Sequence, residues 1–206
     1  MKYIITEEQY EKLVQEEILI LPSLLFFNND WNLLQGYLKR KGNPKYSIMG
    51  DLDLRKKEIK SLENLTSVGG DLNLYNTPIE SLGDLTSVGG TLKLNSTPIE
   101  SLGNLTSVGG DLNLYNTPIE SLGDLTSVGG NLDLSGTPIK SLGDLTSVGN
   151  DLNIRGTQIE SLGNLTFVGG IFNIVNTPLL EKYSEEDIKN IVNVQYINNW
   201  LDKSKM

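Results

Sequence analysis

The side chains able to carry chemistry in this chain are carboxylates, and they come at regular intervals. Glu80, Glu100, Glu120 and Glu160 share one column with Lys60 and Lys140, Asp53 and Asp133 recur in a second, and Asp124 and Asp144 in a third. Two carboxyl groups can hydrolyse a glycoside, one as acid and the other as base or nucleophile. That chemistry needs a cleft that separates their pKa values, and equivalent carboxylates on a regular outer surface share one environment. Asp124 and Asp144 offer oxygen ligands, but a calcium site takes six or more. The chain also has no histidine and no cysteine. Ser-His, Cys-His and His-metal chemistry, thiolate metal sites and disulfides are all excluded. The sequence therefore assigns no catalytic residue, no metal and no cofactor, and the expectation is a protein that is not an enzyme.

The remaining candidates are recognition groups. Asp53, Asn73, Lys93, Asn113, Asp133, Asn153 and Asn173 stand 20 residues apart, and two residues beyond them run Arg55, Tyr75, Asn95, Tyr115, Ser135, Arg155 and Val175. Aromatic and guanidinium groups on an exposed surface are common anchors for a protein partner. Tyr75, Lys93, Asn113, Tyr115, Asp133 and Arg155 form the candidate binding set, because units differ there while their framework stays constant.

These columns exist because the chain repeats. The stretch Asp71 to Gly90 returns letter for letter at Asp111 to Gly130, and units begin at Gly50, Gly70, Gly90, Gly110, Gly130, Asn150 and Gly170 without an insertion. Leu72 and Leu74 alternate with period two, which predicts a short strand with both leucines inward. Ile79, Leu82, Leu85 and Val88 complete the apolar set of that unit, and no stretch keeps helical spacing long enough for a helix. One unit buries too little to offset the entropy of ordering its backbone, so coils must stack and pair their strands in parallel. About six and a half coils at ~4.8 Å each predict a body roughly 30 Å long.

Several polar positions have expected backbone roles. Gly69-Gly70 and its counterparts suit a corner at positive φ, and Asn150, replacing one such glycine, tolerates that conformation. Thr77 and its equivalents to Thr177 are expected to form a hydroxyl ladder along the stack. The aspartate or asparagine at 64, 84, 104, 124, 144 and 164 fits a side chain bonding its own turn.

Val-x-x-x-Leu-x-Leu-x-x-Thr-x-Ile-x-x-Leu-x-x-Leu, from Val68 to Leu85, resembles a leucine-rich repeat of the short bacterial and phage kind over residues 50–178. The family pattern usually has two residues before Leu-x-Leu where this chain has three, and asparagine where Thr77 stands. The resemblance implies a repeat solenoid, a right-handed leucine-rich-repeat-like β-solenoid with parallel strands, that binds proteins on its strand face. A straighter β-solenoid is the structural alternative.

Both ends read as caps: a helical amino-terminal cap over residues 1–49 and a helix-plus-strand carboxyl-terminal cap over 179–206. Thr6-Glu-Glu-Gln9 has the form of a capping box before a helix with Tyr10, Leu13 and Val14 on one face. A second helix is expected from Asn29 or Asp30 through Leu38, with Lys39, Arg40 and Lys41 at its carboxyl end. Trp31, Phe26 and Phe27 are expected to cover the end of the stack. Ser184-Glu-Glu-Asp187 predicts another short helix to about Val192, Val194 to Ile197 a last strand, and Trp200 and Leu201 a closing contact.

The formal charge of -9 lies mostly in the repeats, where residues 50–178 carry fifteen acids and seven bases. Such a surface repels phosphate backbones, so no nucleic-acid partner is expected. No secretory signal or membrane span is legible, which points to a cytoplasmic location without membrane partners. The leading functional expectation is a non-enzymatic protein-binding scaffold using the outward strand face. The alternatives are a structural or self-assembling component, for example of a phage particle as a homo-oligomer, and an acidic decoy for a nucleic-acid-binding defence protein.

Overall fold

The computed structural model describes residues 18–199, except the side chain of Phe26. The capping box at Thr6 and the closing contact of Trp200 and Leu201 lie outside the described residues. Leu72, Leu74, Ile79, Leu82, Leu85 and Val88 are all at most 3% exposed, and their counterparts form the same inward set in the neighbouring coils. Stacking these sets gives one continuous apolar core from Leu24 to Ile197, the outcome demanded of units that cannot bury their own apolar faces.

The chain is a parallel β-solenoid in which each coil contributes two strands, where the leucine alternation predicts one. The first ladder contains Leu72–Asn73, Leu92–Lys93 and Leu112–Asn113, with their equivalents from Leu52–Asp53 to Leu152–Asn153 in one-to-one register. A second ladder contains Ser87–Val88, Ser107–Val108, Ser127–Val128 and Ser147–Val148. Phe167–Asn173 is one continuous strand that joins both. The amides of the two ladders point in opposite directions: Leu72 N donates forward to Thr91 O at 2.8 Å, and Gly109 N donates backward to Val88 O at 2.8 Å. Isolated parallel bridges such as Ser101 to Ser121 add a third line of contact.

The glycine pair lies between the two ladders and has a role different from the expected one. None of Gly69, Gly70, Gly89 or Gly90 has positive φ. Instead a Cβ on Gly109 would lie 2.2 Å from the carbonyl oxygen of Gly89, so bare backbone is needed for coils to approach. Asn150, at the second glycine position, is likewise outside the left-handed region. Positive φ falls elsewhere: at Gly83, Gly103, Gly123, Gly143 and Gly163, and at Asn76, Ser96, Asn116, Gly136 and Gly156. The second set accepts asparagine, glycine, Ser96 and, in the first coil, Lys56, and a Cβ there on Gly136 or Gly156 would meet nothing within 4 Å.

Two further assignments change. Thr117 is buried and its Oγ1 donates to Leu114 O of its own coil at 2.7 Å, as do the equivalent threonines, so this column ties off a turn. The ladder between coils belongs to Thr66, Thr86, Thr106, Thr126, Thr146 and Thr166, where Thr106 Oγ1 donates to Thr86 O at 2.9 Å. The Asp/Asn column at 64 to 164 does not bond its own turns: Asn64 Nδ2 donates to Asn43 O, and Asn164 Nδ2 to Asp144 Oδ1. That turn is held by serine, as where Ser121 Oγ accepts from Gly123 N at 3.0 Å.

The helix Trp31–Arg40 forms where expected, because Asp30 Oδ1 accepts from Asn32 N at 2.8 Å and Leu33 N at 3.2 Å. Trp31, Leu34 and Leu38 face the core. Yet the amino-terminal piece is not only helical: Leu19–Leu21 pairs with Tyr46–Ile48, which pairs with Leu65–Val68, extending the second ladder to residue 19. At the other end, the short helix Leu179–Lys182 precedes Glu185–Ile191, whose capping box joins Ser184 and Asp187. Asn193–Asn198 then runs parallel to Phe167–Asn173 and ends the sheet. Among the described residues no helix is long and apolar enough to cross a membrane.

Candidate recognition face

Register brings the expected binding residues to one side of the first ladder. Lys93 pairs between Asn73 and Asn113, and Asp133 between Asn113 and Asn153. Leucines on either side of each residue point inward, so alternation turns it outward. Tyr75 and Tyr115 occupy equivalent positions two coils apart, roughly 10 Å along the stack. They are 38% and 52% exposed, enough ring surface to contact another molecule.

The six residues nevertheless divide by what their side chains already do. Asn113 Oδ1 accepts from Tyr115 N at 3.0 Å, Asp133 Oδ1 from Ser135 N at 2.9 Å, and Asn153 Oδ1 from Arg155 N at 3.2 Å. Asp133 also accepts from Ser135 Oγ at 2.6 Å and Asn153 Nδ2 at 3.1 Å. This column is a set of Asx turns, each orienting the residue two positions on. Asn113 and Asp133 are half-buried in that task, and they present Tyr115 and Ser135. Lys93 has no carbonyl to offer its turn, is exposed, and makes no side-chain bond among the described residues. Arg155 is exposed as well.

Asp53 begins the column with a different arrangement. Arg55 Nε and Nη2 donate to Asp53 Oδ2 at 3.0 and 2.7 Å, and the side-chain hydrogen bond is the main reason the Asp53 carboxyl lies below its usual range. In the glutamate column, Lys60 Nζ meets Glu80 Oε1 at 2.9 Å with both side chains largely exposed, a contact of little energetic weight. Among the described residues no three acidic groups are arranged to hold a metal ion.

Two concave surfaces were not legible as sites in the sequence. One, of ≈ 460 Å³, runs along Ser87, Gly89, Ser107, Gly109, Ser127 and Gly129 and stops at Phe167, which replaces the serine of earlier coils. The other, of ≈ 520 Å³, lies between the helix Trp31–Arg40 and the first coil. The available signal was the departure of the first coil from the repeat: Glu58, Lys60 and Glu63 stand where the second has Pro78, Glu80 and Gly83. No family model matches the chain, and no curated protein or solved structure matches it either.

Proposed function

We propose that the chain is a non-enzymatic recognition scaffold of the leucine-rich-repeat type, binding a protein partner on the outward side of its first ladder. The supporting observation is the division within that face. Asn73, Asn113 and Asn153 hold the turns that present Tyr75, Tyr115 and Arg155, while Lys93 projects from the paired strand itself. Rigid presentation reduces the entropy lost on association, which favours aromatic and cationic anchors held in this way.

A triple variant, Tyr75→Ala, Tyr115→Ala and Arg155→Ala, tests the assignment. These side chains are exposed, so its melting temperature should stay near that of the unmodified chain. Retained proteins are compared on the two baits by mass spectrometry, and a partner specific to the unmodified chain should disappear from the variant. Equal capture by both refutes the strand-face reading.

A further inference from the structure

The outward side of the second ladder is an uncharged strip on an acidic molecule. The serine column from Ser67 to Ser147 runs in register beside the glycine column from Gly69 to Gly149, and together they line the ≈ 460 Å³ trough. Segments 65–70, 85–90, 105–110, 125–130, 145–150 and 165–170 hold no charged residue, in a chain of net charge -9.

One end of the trough already holds an aromatic ring. Phe167 stands where the earlier coils have serine, and a Cβ on Gly169 would lie 3.4 Å from Phe167 Cε1, so the ring leans over the glycine column. It is still 40% exposed. At the other end Gly69 and Gly89 offer the same bare backbone, and no described aromatic residue lies on it. That surface stays bare because a Cβ on Gly89 would run into Gly69 O.

The serine hydroxyls beside the glycines are also unemployed. Ser81, Ser101 and Ser121 accept turn amides, and Thr86, Thr106 and Thr126 donate to the preceding coil. The half-buried hydroxyls of the column from Ser67 to Ser147 make no side-chain hydrogen bond among the described residues. A hydroxyl both donates and accepts, so a column of them complements its own reversed copy. The carboxylate-bearing surfaces of this chain would repel theirs.

We propose that this strip is an interface between two copies of the chain, packed face to face with their stacks antiparallel, Phe167 of each copy lying on Gly69 and Gly89 of the other. Ring and bare glycines occupy opposite ends of one strip, so a two-fold rotation satisfies both pairs at once and closes the assembly at a dimer. The axis falls midway between Phe167 and the Ser67–Ser87 pair, beside Ser127. Seven coils at ~4.8 Å and five residues at ~3.3 Å give a strip of roughly 500 Å² per copy. The roughly 1,000 Å² of total buried surface is at the small end of specific interfaces, so the dimer should dissociate on dilution.

Sedimentation equilibrium of the full chain from about 1 to about 500 μM should show the mass rising from one chain to two and no further, with association strengthened by salt as the net charges are screened. Phe167→Ser restores the letter of the earlier coils and should weaken association by about tenfold or more. Ser127→Lys, which sets two cations beside the axis, should weaken it as well. Both positions face outward, so thermal melting should report intact folds. The chain has no cysteine, so single substitutions read the register. Ser127→Cys should be joined to its mate by a short bis-maleimide, whereas Ser67→Cys, roughly 25 Å from its mate, should not. A monomer at every concentration, assemblies beyond two chains, weakening by salt, undiminished association of Phe167→Ser, or equal cross-linking at residues 67 and 127 overturns the assignment.

Discussion

Replacing Gly109 by alanine should be among the most damaging single-methyl changes in the molecule. The added Cβ would lie 2.2 Å from Gly89 O and 3.0 Å from Gly89 C, both backbone atoms that no rotamer change can move. A comfortable contact needs roughly 3.5 Å, so the two coils must part by about 1 Å. Across that gap Gly109 N donates to Val88 O at 2.8 Å and Gly110 N to Gly90 O at 2.9 Å. Opening both costs about 1 kcal/mol each, and overpacking adds about 1–3 kcal/mol. The expected loss is therefore about 3–5 kcal/mol. Gly103→Ala is the matched control: its φ is 57° and nothing lies within 4 Å, so only conformational strain of about 1–2 kcal/mol applies. Urea unfolding of both variants, compared at equal slope, reads the difference directly. If Gly109→Ala costs no more than Gly103→Ala, close approach is not what selects glycine between the ladders.

Other outcomes follow from the same geometry. Thr117→Val keeps shape but removes the 2.7 Å bond to Leu114 O, and should cost about 1 kcal/mol in chemical denaturation. Asp187 has its carboxyl lowered from 3.8 by the Ser184 hydroxyl and then the Ser184 amide, so its folded pKa lies below its unfolded one. Its contribution is complete above the unfolded value and is lost as pH falls through the folded one, and Asp53, lowered chiefly by its side-chain bond to Arg55, adds in the same sense. The melting-temperature gap between the unmodified chain and Asp187→Asn should accordingly be steady near neutrality and shrink below pH 3.8. Glu63→Gly relieves a left-handed side chain and should raise stability by roughly 1 kcal/mol or less in urea unfolding, after the entropy of glycine is counted. A variant less stable than the unmodified chain would contradict strain at that position.

Much of the candidate face was legible from period alone. Alternation at Leu72 and Leu74 turned Asn73 outward, and Lys93, Tyr75, Tyr115 and Arg155 were identifiable as departures within constant columns. What could not be read was which members were already occupied. Asn113 and Asp133 look as free as Lys93 in the sequence, yet their side-chain oxygens hold the amides of residues 115 and 135. Lys93 lacks an acceptor and is left to the solvent. The cavity at Glu63 was harder still, since it depends on what stacks before the first coil.

The sequence by itself determined the 20-residue period, the six inward positions, the parallel stacking and the helices capped by Asp30 and Ser184. Each follows from local chemistry or from a spacing that leaves one solution. Tertiary structure decided the reason behind each constant letter. Glycine is selected both by positive φ and by a backbone approaching within bonding distance, and the letter is the same: Gly103 is the first case and Gly109 the second. Threonine is likewise constant in two columns, one bonding three residues back and the other 20 residues back. In a solenoid the partner across the stack is always the same column of the next coil, so a repeated residue records that a constraint exists without recording its direction. Only the positions of neighbouring coils supply that direction.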